Sequence, residues 1–377
     1  MLFRRWALGT ALAIWLLTGC VEYHNATHTC KPIASATPAP SISGRSVSAA
    51  ARDGVFFARW WDMKKQPKEV LEAFSLTDGK PLGTVTVLPS QAPGPYRASD
   101  GSLWFTLAQQ PCYPGGGLSA PAPNTCGGSV VRFDPASARS SLVFQAPSSQ
   151  TVEDAVPSPD GKRFAYRSGQ CDIAFMNEHL VVRDLATGAE SSIGATATPC
   201  HFISTASWSR DGSKLAFTFA PSVLRSDTTF VPHATCEAPG PGLVAVVPAS
   251  GSEIGEAGTA SPESGCSYTY AVFNRAGIVA VEACGEHQLG PAWLVQLNSH
   301  LEPAARFELA PGSDPTTLAV DASGSRVLVN EYESPVYGGA PGTNHDPVDW
   351  IQLYDGRSLR LVLRHTGKDS SINSATF

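Results

Sequence analysis

Helical periodicity is the first thing missing from this 377-residue sequence. No stretch long enough for an ordinary helix repeats its apolar residues at three- to four-residue intervals. The nearest, Lys64 to Phe74, carries Pro67 inside it and reads as loop running into strand. A basic run is missing too. Lys and Arg number 27 against 33 Asp and Glu, giving a net charge of −6. With no patch of one sign along the chain, nucleic acid is not an expected partner, and the mild acidity points to no ligand. The Gly-x-Ser-x-Gly elbow of hydrolases, His-Glu-x-x-His, a phosphate loop and an EF-hand loop are all absent. So is Cys-x-x-Cys, and the 9 His are scattered without ligand spacing, so neither a metal nor a cofactor is expected.

What the chain does contain is a recurring corner. Ala206 to Phe219, Ala-Ser-Trp-Ser-Arg-Asp-Gly-Ser-Lys-Leu-Ala-Phe-Thr-Phe, reads as strand, two-residue Asp-Gly turn, strand. Val156 to Tyr166 repeats it closely, with Ser158-Pro159-Asp160-Gly161-Lys162 at the turn. Looser copies centre on Gly54, Gly101, Gly277 and Gly324. Shared turn chemistry at elastic intervals means one supersecondary unit repeated with insertions in its loops. Each copy has a second half, such as Leu180 to Glu190 or Leu243 to Glu253, so a unit holds four short strands. The 34 Gly and 30 Pro supply turns, and 42% apolar residues supply strand faces.

The Ser-Pro-Asp-Gly-Lys segment resembles the repeat of TolB-like (PD40, WD40-like) β-propellers of bacterial envelopes; the Gly-His and Trp-Asp pairs of eukaryotic WD40 repeats are missing. The expected fold is therefore all-β, a propeller over residues 45–377. Six four-stranded blades fall at 45–92, 93–148, 149–197, 198–260, 261–312 and 313–366, with seven blades as the alternative. Ser371 to Phe377 looks like the first strand of another repeat, and its expected place is within blade one, closing the ring so that no strand edge is left open. The resemblance implies envelope residence and partner binding, without naming the partner.

Upstream, Arg4 and Arg5 precede an apolar run from Trp6 to Leu17, too short to span a bilayer, and residues 1–19 read as a signal peptide. Leu17-Thr18-Gly19-Cys20 resembles the bacterial lipobox, which implies that Cys20 becomes the acylated (palmitate-bearing) first residue of a membrane-anchored lipoprotein. Val21 after it is similar to the pattern sorted to the outer membrane where there are two. Residues 20–44, rich in Ala, Ser, Thr and Pro, read as lipidated Cys and flexible tether. His24, His28 and Cys30 lie close together on that tether and are discounted as a metal site.

Nine cysteines less Cys20 leave an even number in an exported chain, which favours disulfides. In a four-stranded blade the loops joining strands two and three, and the crossovers to the next blade, share one face. Cys112, Cys126, Cys171, Cys200, Cys236, Cys266 and Cys284 all fall there, with the long insertions 108–128, 220–242 and 333–349. The preferred pairing is Cys112–Cys126, Cys171–Cys200, Cys236–Cys266 and Cys30–Cys284; the alternative joins Cys266 to Cys284 and leaves Cys30 and Cys236 over. Candidate binding residues on this face are Trp60, Trp61, Tyr113, Tyr337, His345, Asp346, Asp349 and Trp350. Against that, Trp60, Trp61 and Trp350 also suit packing beneath the loops. No catalytic residue is identified. The expected function is a non-catalytic, lipid-anchored module that binds an envelope protein, peptide or glycan. The alternative is a propeller hydrolase or lyase acting on an extracellular carbohydrate or lactone through acids and His near the axis.

Overall fold

The computed structural model describes residues 54–62, 68–88, 94–107, 110–112, 124–126, 128–147, 150, 152–168, 179–193, 201–221, 223–226, 234–237, 240–251, 258–285, 290–333, 348–366 and 370–377. The described residues form strands and turns with no α-helix. Blade one holds β1 (Val55–Asp62), β2 (Lys68–Ser75) and β3 (Pro81–Leu88). Blade two holds β4 (Tyr96–Arg97), β5 (Leu103–Leu107), an appended hairpin of β6 (Gln110–Cys112) and β7 (Asn124–Cys126), then β8 (Ser129–Asp134) and β9 (Arg139–Gln145). Blade three comprises β10 (Glu153–Pro157), β11 (Arg163–Ser168), β12 (His179–Asp184) and β13 (Glu190–Ile193).

In blade four the inner strand is split into β14 (His201–Ile203) and β15 (Ser207–Trp208), both paired with β16 (Lys214–Pro221). A second appended hairpin, β17 (Val223–Ser226) and β18 (Ala234–Glu237), precedes β19 (Leu243–Pro248) and β20 (Gly258–Ala260). Blade five is β21 (Cys266–Asn274), β22 (Gly277–Cys284), β23 (Ala292–Leu297) and β24 (Pro303–Glu308). Blade six is β25 (Asp314–Val320), β26 (Val327–Glu333), β27 (Val348–Tyr354) and β28 (Leu359–Thr366). The last strand, β29 (Ser370–Thr376), crosses to blade one and pairs antiparallel with β1, completing a fourth strand there. All six blades are antiparallel, and the closure by the C-terminal strand is as the repeat pattern predicts.

Burial explains why the strands read as they do. A blade is covered on both faces by its neighbours, so its middle strands are almost continuously apolar: every residue of β5 is buried, as is Ile278 to Cys284 of β22. Outer strands face solvent and are mostly half-buried or exposed, as in β9 and β24. Six apolar clusters fill six interfaces. Phe57, Leu71 and Val85 meet Phe105 and Phe133 between blades one and two, while Trp104 and Val130 meet Phe164 and Tyr166 between two and three. Leu180 and Ile193 meet Trp208 and Phe217; Val244 meets Tyr268 and Ile278; Val281 and Leu294 meet Val329 and Tyr354. Finally Leu353 and Val362 meet Phe56, Phe74 and Phe377. The sixth interface returns to the first blade, so the ring is closed at six.

The turn chemistry differs from expectation in one respect. A two-residue hairpin of the mirror-image type needs left-handed backbone at both central residues. Among the described residues only Ala138, Asp154 and Leu301 are left-handed non-glycines, so Asp160 and Asp211 are not. Instead Gly212 N donates to Ser209 O and Ser209 N to Lys214 O, a wider loop built on an ordinary turn and ended by a left-handed glycine (φ 69°). Asp211 is selected for another reason: its carboxylate accepts from Ser209 Oγ at 2.7 Å and Ser213 N at 3.0 Å. Those bonds hold it down to about 2. Asp160 does the same with Ser158 Oγ and Lys162 N.

Candidate axial site

The innermost strand of each blade, β29 in blade one, lines the axis, and between them runs a channel of about 1070 Å³. Its wall takes residues from all six blades, including Tyr96, Asp154, Thr205, Tyr270, Thr316 and Ser374. Gly240, Gly242 and Gly285, from loops following strand two of blades four and five, also border it. The channel therefore opens toward the face that carries the insertions.

The inner strands are not regular ladders. Pairing slips between Glu153 and Val156 in β10, Tyr268 and Tyr270 in β21, and Pro315 and Thr317 in β25, and β29 slips opposite Arg59/Trp60. A bulge re-aims side chains by placing two residues against one. In β10 this leaves Asp154 with φ 51°. It points Asp154 at Tyr96, whose hydroxyl donates at 2.6 Å, and at Arg167, whose Nε donates at 2.8 Å. Arg167 also donates to Glu153 at 2.9 Å and to Ile203 O at 3.2 Å, joining blades three and four. Burial raises the Asp154 carboxyl, but the Arg167 charge and the hydrogen bonds outweigh it and the net direction is down. Burial raises Glu153 and carries the Tyr96 phenol well above its ordinary range; burial, then Asp314 and Asp154, push Tyr270 up to about 12. Across the channel Arg59 lies 3.8 Å from the buried Glu69. The two acids that line the channel among the described residues, Glu69 and Asp154, each have an Arg partner, and no described His borders it.

Sequence-level candidates fare unevenly. Trp60 is half-buried, its ring 5.6 Å from Phe74 of β2 and edge-on to His365 of β28 at 4.3 Å. Asp349, expected on the surface, is fully buried: it sits in blade six and accepts the Ile372 N–H of the closing strand at 3.1 Å. Trp350, next along β27, is half-buried. The side chains of Trp61 and of Tyr113, Tyr337, His345 and Asp346 lie outside the described residues, as does Cys20.

One disulfide is described, Cys266–Cys284, between directly opposed residues of β21 and β22. This corrects two expected pairs, Cys236–Cys266 and Cys30–Cys284. The reason is register: the strands that follow Cys266 and precede Cys284 form one hairpin, bringing the two Cα atoms within 3.9 Å before any loop is considered. The bond lies on the insertion face. The side chains of Cys112, Cys126, Cys171, Cys200, Cys236 and Cys30 are outside the described residues, although β6 and β7, which contain Cys112 and Cys126, pair antiparallel.

The axial network was missed in the sequence because its members share no spacing. The available signal was local: Arg59 and Arg167 are charges inside apolar strand patterns, and such a charge needs a partner.

A comparison with protein-family models matches nothing, nor does one with curated proteins. Among solved structures, the chain is similar to TolB from Acinetobacter baumannii, with a TM-score of 0.55 at 13% identity over 86% of this chain and 66% of that one. It therefore spans just under two thirds of that protein. A structure of a nidogen/laminin complex matches with a TM-score of 0.50 at 10% identity, over 85% of this chain and 97% of that one. At such identities the likeness is one of architecture, and what this chain shares with TolB is a TolB-like β-propeller, here of six blades closed by its last strand.

Proposed function

We propose that the chain is a non-catalytic binding module of a bacterial envelope, exported by residues 1–19, held to the membrane through acylated Cys20 and the tether 20–44, and engaging a protein, peptide or glycan on its insertion face. The asymmetry of the disc supports this most directly. On one face strands three and four are joined by short turns such as 135–138 and 185–189; on the other the segments 108–128 and 222–242 each carry an extra hairpin. That built-up face surrounds the mouth of the channel and is braced by Cys266–Cys284. Function concentrates in loops set on a rigid scaffold. A binding role also suits the channel's charges, because Asp154 is engaged by both Arg167 and Tyr96. A general base would need that carboxylate free to take a proton.

The test uses the full chain with Cys20 retained, captured from detergent-solubilised envelopes after cross-linking. Trp350→Ala and Ser267→Arg, near the insertion-face ends of β27 and β21, the latter lining the channel, should reduce recovery of a discrete partner at least fivefold. Arg210→Glu, on an exposed turn of the opposite face, should leave it unchanged. Equal recovery from all three would refute the assignment of the face. Mass spectrometry showing a mature protein that begins at Met1, without acyl chains on Cys20, would refute the anchoring.

A further inference from the structure

The rim of the disc is as uneven as its faces. Five large apolar side chains are exposed among the described residues, and four of them, Leu82, Val87, Leu142 and Leu361, stand on outermost strands. They belong to β3, β9 and β28, the outer strands of blades one, two and six. Ring closure makes these three blades consecutive, with blade one in the middle. The exposures are 56% for Leu82, 53% for Val87, 48% for Leu142 and 52% for Leu361, too high for edges of the inter-blade core.

Charge follows the same division. None of β3, β9 and β28 contains Asp or Glu, while β9 and β28 carry the exposed Arg139 and Arg364. The outer strands of blades three and five instead bear Glu190 and Glu308, and the outer strands of blades three, four and five expose no large apolar side chain among the described residues. Exposed Leu and Val beside Arg, with no carboxylate among them, is the composition that favours an interface of acyl chains and anionic headgroups. In sequence, the segment after Cys20 enters the propeller at Gly54 of blade one, the middle blade of the three.

We infer that the rim formed by blades six, one and two rests on the anionic lipid surface to which Cys20 tethers the protein, so that the disc stands edge-on to the membrane. This builds on the anchored reading above. Edge-on placement leaves the insertion face and the channel mouth at right angles to the bilayer and open to a partner. Acyl chains on a flexible tether hold the protein at the surface without setting its orientation; contact along the rim would fix it.

Lipidated full-length protein, carrying a coumarin amino acid at position 82, 361 or 185, is reconstituted into vesicles of phosphatidylethanolamine and phosphatidylglycerol with brominated acyl chains. Position 185 is the control, since Leu185 is exposed on the β12–β13 turn of blade three, outside the rim of blades six, one and two. Fluorescence at 82 and 361 should be quenched at least twofold more than at 185, and the difference should shrink when phosphatidylglycerol is replaced by phosphatidylcholine. Protein that sediments with the vesicles yet shows equal quenching at the three positions would overturn the rim contact alone. Protein that stays in the supernatant would overturn the anchor and the rim contact together.

Discussion

Asp349 gives the sharpest quantitative test of the fold. It is fully buried in blade six, one oxygen accepts the Ile372 N–H, and the other has no hydrogen-bond partner. Burial pushes its carboxyl from 3.8 up to about 7, with the Ile372 bond opposing that shift. An acid raised by folding costs nothing at a pH where both states are protonated. The cost grows once the unfolded chain ionises first, and it levels off above the folded value. Between 3.8 and about 7 that cost reaches about 4 kcal/mol at alkaline pH, of which roughly a third is already present at pH 5. Asp349→Asn removes the titration and keeps an acceptor for Ile372, while any effect of its new amide is independent of pH. The stability gap between variant and wild type should therefore move by about 2–3 kcal/mol in favour of Asn between pH 5 and pH 8. Urea unfolding at four pH values, disulfides intact, measures it. A gap constant to within about 0.5 kcal/mol would show that the carboxylate is hydrated or compensated, and the reasoning would fail.

Two further variants probe the closure and the axis. Phe377→Ala empties the end of the closing strand, where Phe377 is 1% exposed in the core shared by blades six and one. It should cost about 3–5 kcal/mol in urea unfolding, and an effect below about 1 kcal/mol would mean that the last strand is not needed to close the ring. Arg167→Met leaves Asp154 buried beside Tyr96 without its cation, for an expected loss of about 3–5 kcal/mol. Adding Asp154→Asn should restore part of that loss, since the uncompensated charge is gone; additive losses in the double variant would refute the pairing.

The TolB-like resemblance carried further than any motif search, because a propeller repeats one local solution and each copy had to be legible by itself. Ser209-Arg210-Asp211-Gly212 marks a corner wherever it occurs, since the Asp carboxylate and the left-handed Gly act within the corner alone. Even there the loop is wider than the two-residue turn expected, because Asp-Gly permits two geometries and here Ser209 Oγ bonds both the Asp211 carboxylate and Lys214 N. Asp349 was misplaced for a related reason. A carboxylate near a long loop suggests a surface, and nothing local reports that Ile372, arriving from the end of the chain, needs an acceptor there.

By itself, then, the sequence determined the strands, their grouping into six units and the return of the last strand to the first blade, since alternation, turns and repeat count are properties of neighbouring residues. Tertiary structure alone decided the axial cluster of Tyr96, Asp154 and Arg167, the pairing of Cys266 with Cys284 and the apolar rim. Each of these depends on which blade faces which, or on the register of two strands, and distances across a ring are not written in any one segment of it.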